Sequence, residues 1–220
     1  DRPRAVITFD DAYVGTLTAG AEELSARGLV GTVFVPPALL GADGFWWDLL
    51  APDEGRPLDE ELRTHALDVL SGQQERILAW AHEQGLTVRE MPDHARPGAT
   101  EDLAPDRLSS SLRLGAHTWT HPNLARLAPD EVTEELGRAA AWLGEQAGAT
   151  DRWLTYPYGL RSPQVVETTA RAYEGALLIS GGAAVRQGRA VSGRHETPRI
   201  NVPRGMSLEG LALRLAGLLS

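Results

Sequence analysis

Short β-branched apolar runs recur along this chain, and each is followed by a stretch of helical character. Residues 5–9 (Ala-Val-Ile-Thr-Phe) read as a buried strand. A helix is expected from about residue 16 to 27, stopped by Gly28, and residues 30–35 form a second strand closed by Pro36-Pro37. A strand–helix–strand unit of this size points to parallel pairing. The pattern returns with a strand at 112–114 ending at Gly115. A long helix follows, opened by Pro129 with Asp130 and Glu131 in its first turn, where the helix dipole favours acid; it ends near Gly148. Further strands are expected at 153–156, 176–179 and 200–202. Further helices are expected at 162–173, with Pro163 in its first turn, and at 207–219, capped by Ser207. Residues 41–111 are less regular. They hold the aromatic run Phe45-Trp46-Trp47, a helix pair at about 59–71 and 73–84, and a stretch rich in Pro, Gly and acid from 91 to 105. This segment reads as an elaboration on the sheet. The alternation favours a parallel α/β barrel or an open doubly wound sheet.

Composition narrows the function classes. The 220 residues carry 30 acidic and 21 basic side chains, a net charge of −9. That balance argues against a protein that tracks nucleic-acid phosphates and leaves a neutral ligand such as a sugar open. Cysteine is absent, which removes disulfides, thiolate metal sites and cysteine nucleophiles, and suits either redox compartment, so cytoplasmic and exported settings both stay open. No apolar run approaches the ~20 residues of a membrane span. The sequence begins at Asp1 rather than Met, compatible with removal of a preceding leader.

Three polar segments each sit just after an expected strand: Thr8-Phe9-Asp10-Asp11, His117-Thr118-Trp119-Thr120-His121 and Tyr156-Pro157-Tyr158-Gly159. Parallel α/β folds build their sites at the carboxyl ends of strands, so the three can converge on one rim. Histidines four apart share one face of a helical turn and can meet on one ion, with a carboxylate as third ligand. Taken alone, such a pair more often caps or packs. Two acids directly after an apolar strand are costly to bury without a cation or proton to compensate. A metal compensates one and leaves the other as a general base, although alone the pair also suits an acidic helix cap. The Pro-Tyr-Gly turn can present a backbone N–H to an oxyanion, and alone is only a turn.

Together, these segments resemble the polysaccharide deacetylase family, the carbohydrate esterases with a NodB homology domain, in its Tyr-Pro-Tyr-Gly branch. The resemblance covers nearly the whole chain. Thr8 to Asp11 match the first family motif, His117 to His121 the second, and Tyr156 to Gly159 part of the third. The resemblance implies one domain over residues 1–220, a distorted (β/α) barrel with fewer than eight repeats and a partly helical insertion at about 41–111. It implies hydrolysis of an acetyl group from an N-acetylated amino sugar or glycan, releasing acetate. Asp11, His117 and His121 would hold a divalent metal, most plausibly Zn²⁺. Asp10 would be the general base, and the Tyr158 backbone N–H would join in stabilising the oxyanion.

The sequence also departs from the family pattern. Ala12 stands where many members have Gly, and Thr155 where many carry the arginine that orients the base. Arg199, in Pro198-Arg199-Ile200, is expected to take that part, with Arg152 the other candidate. No Leu-x-x-His segment for the family's general acid is found, and His195 is the candidate substitute. Trp46 and Trp47 are candidates for a sugar-stacking surface or for core, and Trp119 for a wedge behind the histidine loop. His65, His82 and His94 read as surface residues. A metal-dependent amidase on a non-carbohydrate substrate and a non-catalytic glycan-binding module are the competing readings. Intact Asp10 argues against the second of these.

Overall fold

Successive strands of the main sheet are joined by crossovers long enough to return the chain to the same end, so they pair in parallel. The computed structural model describes residues 5–52, 56–146, 148, 150–186, 189–190, 192–203 and 205–216. The strands are β1 (Ile7–Asp10), β2 (Gly31–Val35), β3 (Leu112–Ala116), β4 (Thr150–Thr155), β5 (Gly175–Gly181), the short antiparallel pair β6 (Val185–Arg186) and β7 (Arg189–Ala190), and β8 (Thr197–Arg199). The α-helices are α1 (Ala21–Ala26), α2 (Trp46–Leu49), α3 (Glu60–Thr64), α4 (Gln74–Glu83), α5 (Pro129–Glu145), α6 (Pro163–Ala172) and α7 (Leu208–Leu215). Six strands form one parallel sheet in the order β1-β2-β3-β4-β5-β8. With its helices this is a half-barrel of the distorted (β/α) type, which decides between the two architectures left open by periodicity.

The core lies between the sheet and its helices. Val33, Val35, Leu114, Leu154 and Ala176 from the strands are buried against Leu24, Val132, Leu136, Leu143 and Val165. On α5 the buried positions are 132, 136, 139 and 143, the i, i+4, i+7 spacing of a helix with one face on a sheet. Ser207 Oγ accepts the Gly210 N–H at 3.1 Å, the cap expected for the closing helix; Glu131 Oε2 accepts the Ala128 N–H at 2.7 Å and Ser162 Oγ the Val165 N–H at 3.3 Å, capping α5 and α6 as well. A second apolar cluster (Trp46, Leu50, Ala66, Leu67, Ile77, Ala81) lies under α3 and α4, in the stretch between β2 and β3.

Several boundaries differ from expectation. The closing strand is 197–199, not 200–202. Its pairing with β5 sets Thr197 opposite Leu177 and Arg199 opposite Gly181, and as an edge strand it tolerates Pro198, which has no N–H to give. The helix expected over 59–71 is α3 followed by a π-helical turn, His65–Val69, and the one at 16–27 opens with a π-helical turn, Thr16–Gly20. The closing helix is described as Leu208–Leu215; residues 217–219 of the expected span lie outside the described residues.

Two substitutions on neighbouring α5 positions separate burial from helix propensity. Leu136→Ala, at a fully buried site, is expected to cost about 2–5 kcal/mol. Gly137→Ala, where an added Cβ meets open space, is expected to gain up to about 1 kcal/mol. Denaturant midpoints for the two variants check both signs.

Candidate metal centre

The three polar segments meet at the carboxyl end of the sheet. β1 ends at Asp10, and the chain then turns through Asp11 and Ala12, both left-handed (φ +74° and +55°). Adjacent side chains therefore diverge: Asp10 turns toward β8 and Asp11 toward the histidines. Ala12 is fully buried and its carbonyl accepts the Gly98 N–H at 2.9 Å, a backbone shape that Gly would adopt at lower cost.

His117 directly follows β3, and its backbone N–H donates to the Val35 carbonyl at 2.9 Å. Its Nδ1 lies 2.8 Å from the Thr155 carbonyl oxygen and 2.6 Å from the Thr155 hydroxyl. A carbonyl only accepts, so Nδ1 carries the proton and Nε2 presents a lone pair. His121 Nε2 lies 3.0 Å from that nitrogen. Asp11 Oδ1 lies 3.5 Å from His117 Nε2 and 3.3 Å from His121 Nε2. The histidines are not on a helical turn as the spacing suggested. Residues 117–121 form a loop that doubles back through left-handed Thr118 and His121 (φ +63° and +60°).

This donor set fits a divalent cation. Asp11 Oδ1 is buried without a hydrogen-bond partner among the described residues, and faces two imidazole nitrogens, one with its lone pair inward. The three ligand atoms lie within 4.8 Å of one another. Burial, then the charges of Asp10 and Asp48, push the Asp11 carboxyl well above the usual carboxylate range. Burial lowers both imidazoles, His121 further through the neighbouring His117. A cation at this point would favour the carboxylate and the neutral imidazoles together, removing the conflict.

Asp10 is held differently. Arg199 Nη1 donates to its Oδ1 at 2.8 Å and Nη2 to its Oδ2 at 2.6 Å, a two-pronged clamp. The guanidinium is itself aimed by Nε donating to the Leu178 carbonyl at 2.6 Å, and Nη1 also donates to Thr8 Oγ1 at 3.2 Å. Burial works to raise the Asp10 carboxyl, but Arg199, His117 and Thr155 outweigh it and hold it below its ordinary value. Arg199 rather than Arg152 meets Asp10; Arg152 Nη2 donates to the Ala172 carbonyl at 3.2 Å on the exposed surface.

Tyr158 is left-handed (φ +57°) within the turn Pro157–Gly159, near the helix start where N–H groups lack an intrahelical acceptor. Its buried hydroxyl accepts Trp46 Nε1–H at 2.7 Å, and its ring lies 4.7 Å from the His121 ring. Gly159 is required next: an added Cβ would come within 2.7 Å of Ile179. Trp46 is buried, whereas Trp47 is half-buried, 4.8 Å from the His121 ring and stacked on Phe45. Trp47 Nε1–H donates to the Tyr13 hydroxyl at 3.0 Å, which donates to Asp48 Oδ2 at 2.6 Å.

Some expected residues stand elsewhere. His195 lies at the opposite end of the strands, its Nε2 3.0 Å from the carbonyl of Tyr173, just ahead of β5, so it is no acid for this site. His65 stacks on Trp80. Trp119 lies under the Arg138 guanidinium of α5 (4.3 Å). Tyr13, Asp48 and Glu135 border or brace the centre and were not among the expected site residues, and Thr155, noted only for standing in the place of an arginine, holds His117. Of the first three, Tyr13 alone carried a signal, sitting two residues past Asp11.

Residues 1–173 match the family model for polysaccharide deacetylases, and the chain belongs to that family. Among solved structures it is similar to the Streptococcus pyogenes deacetylase PplD in complex with acetate (18% identity, 98% of this chain and 73% of that one, TM-score 0.59). IcaB from Ammonifex degensii is similar at 16% identity, 97% and 71% coverage and a TM-score of 0.58. A polysaccharide deacetylase from Bacillus cereus is similar at 15% identity and a TM-score of 0.57; 96% of this chain is covered, and it spans 50% of that one.

Arg199→Ala would leave Asp10 buried opposite no cation and is expected to destabilise by about 3–5 kcal/mol. Replacing both Asp10 and Arg199 by Leu is expected to cost much less than the sum of the single changes, which a double-mutant cycle by chemical unfolding measures.

Proposed function

We propose that this chain is a metal-dependent hydrolase that removes the acetyl group from an N-acetylated amino sugar or glycan and releases acetate. The observation that carries the reading is the convergence of Asp11, His117 and His121 beside a second, separately clamped carboxylate. Asp11 and the two Nε2 atoms would hold the cation, and two imidazoles with one carboxylate suit zinc. Such a cation supplies Lewis acidity toward the acetyl carbonyl and lowers the pKa of water toward about 7.

The remaining chemistry belongs to the chain. Asp10 accepts the proton of the attacking water. Its two oxygens are fixed by Arg199, which keeps it ionised and aimed, so it serves as a base rather than as a second metal ligand. The Tyr158 backbone N–H faces the developing oxyanion, with the turn held by Trp46. The half-buried Trp47 offers an indole face to the sugar ring. The Streptococcus pyogenes relative solved with acetate supports the expected product.

Purified protein is expected to contain about one equivalent of divalent metal and to release acetate from N-acetylglucosamine oligomers, with both lost on chelation. His117→Ala is expected to lose the metal. Asp10→Asn is expected to keep it while turnover falls about 10²–10⁴-fold. Metal analysis with an acetate assay decides. A metal-loaded protein that is silent on a broad panel of acetylated sugars would transfer the reading to a non-carbohydrate amide.

A further inference from the structure

His117 and His121 are oriented by different means. His117 is fixed through its own ring, by the Thr155 carbonyl and hydroxyl at Nδ1. His121 has no such partner: its Nδ1 is buried without a hydrogen bond among the described residues. A ligating imidazole ordinarily owes its orientation to a partner at the second nitrogen. The placement of His121 must therefore come from its ring contacts with Trp47 and Tyr158 and from the backbone that delivers it.

That backbone is strained. Thr118 and His121 both adopt left-handed conformations, worth roughly 1–3 kcal/mol each for residues with a side chain. Inside the loop one bond opposes the strain, the His121 N–H donating to Thr118 Oγ1 at 3.1 Å. The other restraints come from outside. The Trp119 carbonyl accepts the Ala38 N–H at 3.0 Å, and Glu135, on α5, accepts the N–H of Trp119 (2.9 Å) and of Thr120 (2.8 Å) on Oε2, and the Thr120 hydroxyl (2.6 Å) on Oε1. One carboxylate thus gathers three donors from the middle of the histidine loop, two of them consecutive backbone N–H groups in the concave arrangement that suits an anion. Arg138, one turn along α5, covers the Trp119 ring from the same helix.

We infer that Glu135 is a positioning residue for the metal centre: by tying the loop's middle to α5, it sets His121, the ligand with no hydrogen-bonded brace of its own. The inference rests on the proposed metal site, and it concerns metal affinity rather than the reaction. Glu135→Gln keeps the size of the side chain. It puts an amide N–H₂ where an acceptor is needed, so at least one loop donor loses its partner.

The test is the zinc dissociation constant, measured by competition with a chromophoric chelator on wild type, Glu135→Gln and Thr120→Val. Thermal unfolding of the metal-free proteins serves as the fold control. Glu135→Gln is expected to weaken zinc binding 10–100-fold. Thr120→Val, which removes a single bond, is expected to weaken it about fivefold. The visible spectrum of the cobalt-loaded Glu135→Gln protein should change in intensity. Excess zinc should restore its acetate release with an unaltered KM for sugar, which general loosening of the fold would not produce. If Glu135→Gln fails to fold, Thr120→Val decides. Zinc affinity equal to wild type in the folded variants overturns the inference. A wild type that binds no zinc overturns it together with the proposed function, whereas zinc bound without acetate release overturns that function alone.

Discussion

One guanidinium holds the two edges of the sheet together. β1 and β8 are the outermost strands, and among the described residues no backbone ladder joins them. Arg199 at the end of β8 bridges them instead, reaching Thr8 and both oxygens of Asp10 on β1 while its Nε is anchored to the Leu178 carbonyl of β5. A carboxylate this enclosed would otherwise be pushed toward its neutral form. The same contact that bridges the half-barrel's edges, together with His117 and Thr155, holds the Asp10 carboxyl below its ordinary value, and it draws the side chain toward β8. Asp11, next in the chain, is left to face the histidines. The division of labour between two adjacent acids follows from that clamp and from the left-handed turn through Asp11 and Ala12.

Backbone strain is concentrated where the three segments meet. Among the described residues, six non-glycine positions have positive φ, and five of them are Asp11, Ala12, Thr118, His121 and Tyr158. Each costs free energy that regular structure nearby must offset. The braces are identifiable: Gly98 on the Ala12 carbonyl, Glu135 on the histidine loop, Trp46 on the Tyr158 hydroxyl. The sixth position, Ser71, accepts the Asn123 N–H at 2.8 Å just beyond His121, so it too borders the centre. Rigid strands deliver the ligands to the rim, and these contacts hold them in conformations they would not keep alone.

The stretch between β2 and β3 supplies the other wall. α2 sets Trp46 inward on its own apolar cluster and Trp47 half-open beside His121. Phe45, Trp47, Tyr13 and Asp48 then form a continuous set of ring and hydrogen-bond contacts next to Asp11 and the two histidines. The relatives compared are longer than this chain, which spans half the length of the Bacillus cereus structure.

Much was readable in the primary sequence because it is local. Strand and helix alternation, the prolines that open α5 and α6, the Ser207 cap of α7, and the three polar segments at strand ends depend on neighbours a few positions apart, and the order of those segments carried the family resemblance. Burial, pairing register and long-range partners are not local, and these were decided by the tertiary structure. Pairing with β5 moved the last strand from 200–202 to 197–199, which is what brings Arg199 to Asp10 across 189 residues of chain. The histidines meet through left-handed loop residues rather than a helical turn, because α5 holds that loop by a glutamate 14 positions beyond His121 that no motif marks. His195, the candidate substitute for a general acid, lies at the wrong end of the sheet, since proximity to a strand says nothing about which end of it a side chain will reach.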